Sequence, residues 1–200
     1  GSLEPAGMIG FSKELSVKVS HGCIKIAQQG YWVGGSPPYG YDRLLLDEAR
    51  KPVHVLEHRQ KKGIQNQRVT LTPGPEEQVT TVRRIFREFI DLGHDLEQIA
   101  EGLNRDGLRS ARGGLWNAGK ARRILTNVMY AGTLVYNKTT KKLKTPTRRN
   151  PQKDWIRTPG AFVPLVEPSI FDHAQAILAQ AAQRYTPEIM FDDGSSAQQN

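Results

Sequence analysis

The chain has one cysteine in 200 residues, Cys23. No disulfide can close within it, and no cysteine-based zinc ribbon can be assembled from its own residues. No apolar run reaches the length a membrane-spanning helix requires, and no signal-peptide pattern is visible. A reducing, intracellular setting away from any membrane is therefore expected. Histidine is scarce. Only His54 and His58 are closely spaced, and no further ligands stand at matching spacing, so neither a metal site nor any other cofactor is expected. Carboxylates are also in the minority, with 20 Asp and Glu against 28 Lys and Arg and a formal net charge of +8. Asp42, Asp47, Glu48 and Glu57 form only a loose group that straddles apparent turns. That is a poor basis for the carboxylate cluster of a metal-dependent nuclease. What the excess of positive charge favours is a polyanionic partner, with nucleic acid foremost. The chain opens Gly-Ser without an initiator methionine, which suggests a cloning scar and a piece of a longer protein.

The most informative stretch is LGHDLEQIAEGLNRDGLRSARGGLWNAGKARRILTNVMYAGTLVYN, residues 92–137. Leu96, Ile99, Ala100 and Leu103 fall at i, i+3, i+4, i+7, the apolar face of a helix. Asp95 occupies the N-cap position, with Gln98 three residues on as in a capping box. Asn104-Arg105-Asp106-Gly107 stops the helix, with Gly107 as a left-handed C-cap. A second helix is predicted after Trp116, capped by Asn117. Its inner face is Ala121, Ile124, Leu125 and Val128, and its outer face Gly119, Lys120, Arg122, Arg123 and Thr126. A capped helix, a short connector and a helix with one cationic face form a helix-turn-helix-like pair suited to a DNA groove. The competing reading is an ordinary packed helix pair with a solvated basic face. Arg109 and Arg112, among Ser110, Gly113 and Gly114, can bring guanidinium groups and backbone amides to phosphates. Trp116 reads as a core anchor.

The rest of the chain supplies the surroundings. A helix is predicted over residues 11–29, with Lys13, Lys18 and Lys25 as a loose basic stripe and a ragged end before it. Gly30 stops it, and the Gly/Pro/aromatic segment of residues 30–41 follows, in which Gly34 and Gly35 permit close backbone approaches while Tyr39 and Tyr41 anchor the loop by their rings. Short strand-like runs at Leu44–Leu46, Val53–Leu56 and Arg68–Thr72 predict a small antiparallel sheet. Val79, Val82, Ile85, Phe86, Phe89 and Ile90 mark a core helix, whose Arg83, Arg84 and Arg87 read as a solvated mixed face. Tyr130–Tyr136 alternates as a strand. Lys138, Lys141, Lys142, Lys144, Arg148 and Arg149 then follow with no acidic residue before Asp154. With Trp155–Arg157 as a return strand and Phe162–Val166 as another, the picture is a hairpin with a long basic tip. A last helix starts at Pro168, and the tail of residues 184–200 is polar and expected to be disordered. The fold class is α+β: a helical domain with a helix-turn-helix-like pair, a small antiparallel sheet and a basic β-hairpin.

The ordered series FSKELSVKV, GYWVGGSPPYGY, VRRIFREFIDLGHDLEQIAEGLNRDGL, WNAGKARRILTNVMYAGTLVYNK and FVPLVEPSIFDHAQAIL resembles the recombinase domain of the large serine recombinases, a group that includes phage integrases and transposon resolvases. The resemblance covers roughly residues 11–180. It implies a bacterial or phage-encoded cytoplasmic protein, associated with the nucleoid, that holds half of an attachment site in double-stranded DNA. It implies an N-terminal catalytic domain with a serine nucleophile and a zinc-ribbon domain elsewhere in the full-length protein. Neither fits within this chain. Ser12 and Ser16 lack the cluster that would activate a nucleophile, so no catalytic residue and no strand cleavage are expected of this chain. Residues 1–29 would be a linker helix leaving the catalytic domain, 30–41 a linker, 42–183 the DNA-binding domain and 184–200 the tail.

The resemblance also places Gly34 and Gly35 along the minor groove, with Lys25 or Tyr39 on backbone nearby. Arg122 or Arg123 would read guanine, and Asn117 adenine if it is not used as a cap. Arg109, Arg112, Lys120, Lys138, Lys141, Lys142, Lys144, Arg148 and Arg149 complete the expected DNA contacts. The piece is expected to be monomeric, and the full-length protein a dimer or tetramer on DNA. A helix-turn-helix transcriptional regulator is the alternative, though no heptad run supplies its dimer interface.

Overall fold

A computed structural model describes residues 6–57, 60, 62, 63, 66–140 and 146–184, with backbone alone for residues 6–13 and 16. Lys141, Lys142 and Lys144, His58 and the tail from residue 185 lie outside the described residues. Among the described residues the fold is α+β: five α-helices with small antiparallel sheets. Among the described residues, no helix is long and apolar enough to cross a membrane.

Helix α1 spans Ala6–Gln28, so it begins before the expected Phe11. The end expected to be ragged is helical from Ala6 on. Strands β1 (Tyr41–Leu46), β2 (Pro52–Leu56) and β3 (Arg68–Pro73) form an antiparallel sheet in the order β2-β1-β3. Tyr41, Leu45, Leu46, Leu56 and Leu71 are its buried side chains. The segment between α1 and β1 is held at both ends. The Trp32 N–H donates to the Val69 carbonyl of β3 at 2.7 Å, and the Tyr41 hydroxyl donates to the Val163 carbonyl at 2.9 Å.

Helix α2 (Glu76–Ile90) opens with Pro75 and two acidic residues, which suit the positive end of a helix. Val79, Val82, Ile85 and Phe86 are buried along one side. Two of its arginines do more than the expected solvated face requires, while Arg87 is exposed. Arg83 Nε donates to the Leu165 carbonyl at 3.0 Å. Arg84 pairs with the largely buried Glu88 at 2.6 Å and with Asp106 at 2.7 Å, tying α2 to the end of the next helix. Helices α3 (Leu96–Arg105), α4 (Ala118–Leu125) and α5 (Pro168–Arg184) pack around α2 to complete the helical core.

Two strand expectations fail. Residues 128–131 form a 3-10 turn, so the strand is only β4, Leu134–Tyr136. Asn127 caps that turn by accepting from the Met129 N–H at 3.3 Å. Gly132 ends it at φ +80, where a Cβ would meet the Phe162 carbonyl oxygen at 2.8 Å. Local capping thus overrides the alternation. Phe162–Val166 is irregular rather than a strand, because the amides of Leu165 and Val166 both converge on the Tyr130 carbonyl, at 3.0 and 3.1 Å. The basic hairpin is present in two sections. β4 pairs with β7 (Ile156–Thr158), and beyond it β5 (Thr139–Thr140) pairs with β6 (Arg148–Arg149). The end of α1 packs against the first section, where Thr158 Oγ1 donates to the Ala27 carbonyl at 2.9 Å.

Candidate nucleic-acid interface

The helix pair is built by local chemistry. Asp95 accepts from the Gln98 N–H at 2.8 Å and its own N–H donates to Gln98 Oε1 at 3.0 Å, a complete capping box at the start of α3. Ile99, Ala100 and Leu103 are buried. After the helix ends, Ser110 closes a tight turn. Its N–H and its hydroxyl both donate to the Gly114 carbonyl at 2.9 Å, with Gly113 at φ +72, a value that suits a residue without Cβ. The turn leaves Arg109 and Arg112 exposed.

Asn104 then locks the connector to α3. Its Nδ2 donates to the Trp116 carbonyl at 3.0 Å and its Oδ1 accepts from the Trp116 N–H at 2.8 Å. This reciprocal pair sets where α4 starts. Asn104→Ala would leave both Trp116 backbone groups without their partner, and each lost hydrogen bond costs about 1 kcal/mol or more when buried. A loss of about 2 kcal/mol in urea unfolding is expected. An unchanged midpoint would show that the connector is held elsewhere.

Trp116 is 4 % exposed, as expected of a core anchor. Tyr39 meets its ring edge-on, with centroids 5.3 Å apart. The Tyr39 hydroxyl donates to the Arg109 carbonyl at 3.0 Å, and burial raises its pKa. Tyr39 thus supports the connector from inside, its ring packed as expected of a loop anchor. Tyr130 adds a second tie from the core: its hydroxyl donates to the Tyr39 carbonyl at 2.9 Å.

Helix α4 presents two different faces. Ala121, Ile124 and Leu125 are buried, while Arg122, Arg123 and Thr126 are exposed. Among the described residues the guanidinium groups of Arg109, Arg112, Arg122 and Arg123 make no hydrogen bond or ion pair. Asn117 is used as the cap, its Oδ1 accepting from the Lys120 N–H at 2.9 Å. The condition attached to its adenine pairing is therefore not met. Lys120 Nζ also turns inward, donating to Ser110 Oγ at 2.9 Å and to the Leu115 carbonyl. Lys120 is a brace between connector and helix more than a free charge.

Elsewhere, Lys25 is exposed in the last turn of α1. Gly34 and Gly35 are exposed beside Trp32. A Cβ on Gly34 would lie 3.2 Å from the Trp32 ring, and Trp32 Nε1 donates to the Gly35 carbonyl at 3.4 Å. On the hairpin, Arg148 and Arg149 are exposed and Lys138 is half-buried. Residues that sequence reasoning passed over also stand here. Trp155 has Lys138, Arg149 and Arg157 around its ring, with the charged groups 5.5, 5.5 and 5.7 Å from the centroid. The available signal was the i, i+2 spacing of Trp155 and Arg157, which shares one strand face.

The molecule is an α+β domain that carries both a capped helix pair with a cationic face and a basic hairpin. The model of the Recombinase family matches residues 76–181, from the start of α2 into α5. That is more than half of the chain, and the chain belongs to this family. A solved structure described as a complex of an LSR (large serine recombinase) with DNA has the same fold, with a TM-score of 0.50 at 15% sequence identity. The similarity covers 82% of this chain and 38% of that one, so the chain spans well under half of the length of its solved neighbour. Among curated proteins no sequence matches.

Proposed function

We propose that this chain is the DNA-reading recombinase domain of a large serine recombinase. It would hold one half of an attachment site in duplex DNA while a catalytic serine domain elsewhere in the full-length protein cuts and rejoins the strands. The observation that carries this reading is α4. Its apolar side is buried, its N-terminus is capped, and Arg122 and Arg123 stand exposed with no protein partner among the described residues. Guanidinium groups so placed suit guanine O6 and N7 in a major groove. Arg109, Arg112, Arg148 and Arg149 suit phosphates, which supply affinity and register. The solved LSR–DNA neighbour supports the choice of partner. Lys141, Lys142 and Lys144, which follow Thr140 in the sequence, would extend the phosphate contacts.

In this reading α1 is the arm arriving from the catalytic domain, with Lys25, Gly34 and Gly35 near the minor groove. Residues 42–183 form the DNA-binding body, to which Tyr39 adds a core side chain. The chain alone would bind as a monomer and cut nothing. A zinc-ribbon domain and the dimer or tetramer contacts would belong to the full-length protein.

The test is direct binding of labelled duplexes over a salt series. The proposal predicts saturable binding with log Kd linear in log salt, the slope set by the number of phosphates neutralised. It also predicts no strand nicking, with or without divalent metal. Absence of binding at low salt, or metal-dependent nicking by the pure chain, would contradict it.

A further inference from the structure

The two sections of the hairpin meet at a bend, and the bend is unusually well fastened. Asn137, between β4 and β5, has φ +62. Its Nδ2 donates to the Asp154 carbonyl at 2.9 Å. Across the hairpin, Asn150 Nδ2 donates to the Asn137 carbonyl at 2.8 Å, and Asn150 Oδ1 accepts from Thr140 Oγ1 at 2.8 Å. Trp155 is attached to this network through Nε1, which donates to the Asn150 carbonyl at 2.9 Å. The indole is therefore fixed in position before anything binds.

Around that fixed ring three cations gather from three parts of the hairpin: Lys138 at the bend, Arg149 from β6 and Arg157 from β7. Lysine and arginine are attracted to an indole face, but the three charges repel one another. Among the described residues none of them forms an ion pair with a carboxylate. Burial first, and then the repulsion of Arg157 and Arg149, lower the pKa of the Lys138 ammonium. A bound anion would relieve that repulsion.

We propose that Trp155 is a positioning residue that holds Lys138, Arg149 and Arg157 as a ready-made seat for one or two phosphates of the DNA backbone. The inference rests on the DNA-binding reading above and deepens it. A phosphodiester oxygen pair suits convergent ammonium and guanidinium donors. Because the cations are gathered in advance, little side-chain freedom is lost when the phosphate arrives. Arg157 thereby becomes a phosphate contact, and Trp155 acts through the charges it organises.

The experiment uses the whole chain, a labelled duplex and a salt series, with Trp155→Leu, Trp155→Phe and Arg157→Gln. Trp155→Leu changes no charge, yet it is expected to weaken binding about tenfold and to reduce the magnitude of the salt slope by about 1–2. Trp155→Phe keeps a ring for the cations and is expected to retain the wild-type slope. Arg157→Gln is expected to lower the slope by about 1. A purely structural role would reduce the competent fraction without changing the slope. If Trp155→Leu does not fold, Arg157→Gln and Lys138→Gln decide alone. Wild-type binding with every variant matching it in affinity and slope overturns the seat and leaves the DNA reading intact. No binding of any duplex by the wild-type chain overturns both.

Discussion

Replacing Arg122 and Arg123 together by alanine is expected to abolish discrimination between target and non-target duplexes while leaving a weaker, salt-sensitive affinity for both. Each bidentate guanine contact is worth about 1–3 kcal/mol of discrimination, so the loss per arginine spans roughly 5–150-fold. The fold itself is expected to survive. Both side chains are exposed, and the helix keeps its Asn117 cap and its buried Ala121, Ile124 and Leu125. The contrasting variant is Arg148→Ala with Arg149→Ala on the hairpin. It is expected to weaken binding nearly equally on all sequences and to flatten the salt dependence, as phosphate contacts do. Competition binding between target and scrambled duplexes separates the two. If both double variants lose the same ratio, the division between reading and clamping fails.

The second large effect is expected at Trp116. It is buried between the connector and Tyr39, and its backbone is gripped by Asn104. Trp116→Ala removes the ring and opens a cavity at the start of α4, for which losses of about 3–5 kcal/mol are usual. That is a large part of the stability of an ordinary domain, so the variant is expected to be largely or wholly unfolded near body temperature. Trp116→Phe provides a finer test. The indole Nε1 is buried with no hydrogen-bond partner among the described residues, so Phe loses volume but also removes an unsatisfied donor. It is expected to cost well under half of the alanine loss in chemical denaturation. A Phe variant as unstable as the Ala one would mean that the N–H has a partner after all.

The helix pair was legible in the sequence because its determinants are local. Asp95 with Gln98, Asn117 before a cationic helix, and the 3.6-residue spacing of Ile99, Ala100 and Leu103 are each readable within one or two turns. The three-stranded sheet was legible for the same reason, in the β-rich runs at Leu44–Leu46, Val53–Leu56 and Arg68–Thr72. What escaped depends on partners far away in the chain. Phe162–Val166 has strand-like composition, but the amides of Leu165 and Val166 are both claimed by the Tyr130 carbonyl. Tyr39 reads as a ring anchor of its own loop, but the partners that bury it, Trp116 and Arg109, lie far along the chain. Lys120 reads as one more outward charge until Ser110 is folded beneath it. The charges on Trp155 come from three separate hairpin segments. The i, i+2 spacing links Trp155 to Arg157 alone, and no period brings Lys138 or Arg149 to the same ring.

The most direct test of the central claim is selection of bound duplexes from a random-sequence pool by the wild-type chain at moderate salt, followed by sequencing. Enrichment of one motif is expected, covering about one helical turn of DNA as an α-helix in a major groove would read. The strongest positions of that motif are expected to be lost when the selection is repeated with the Arg122 and Arg123 double variant. A pool that remains random while the chain still binds DNA would be the contrary result. The cationic surface would then hold phosphates only, and α4 would read nothing.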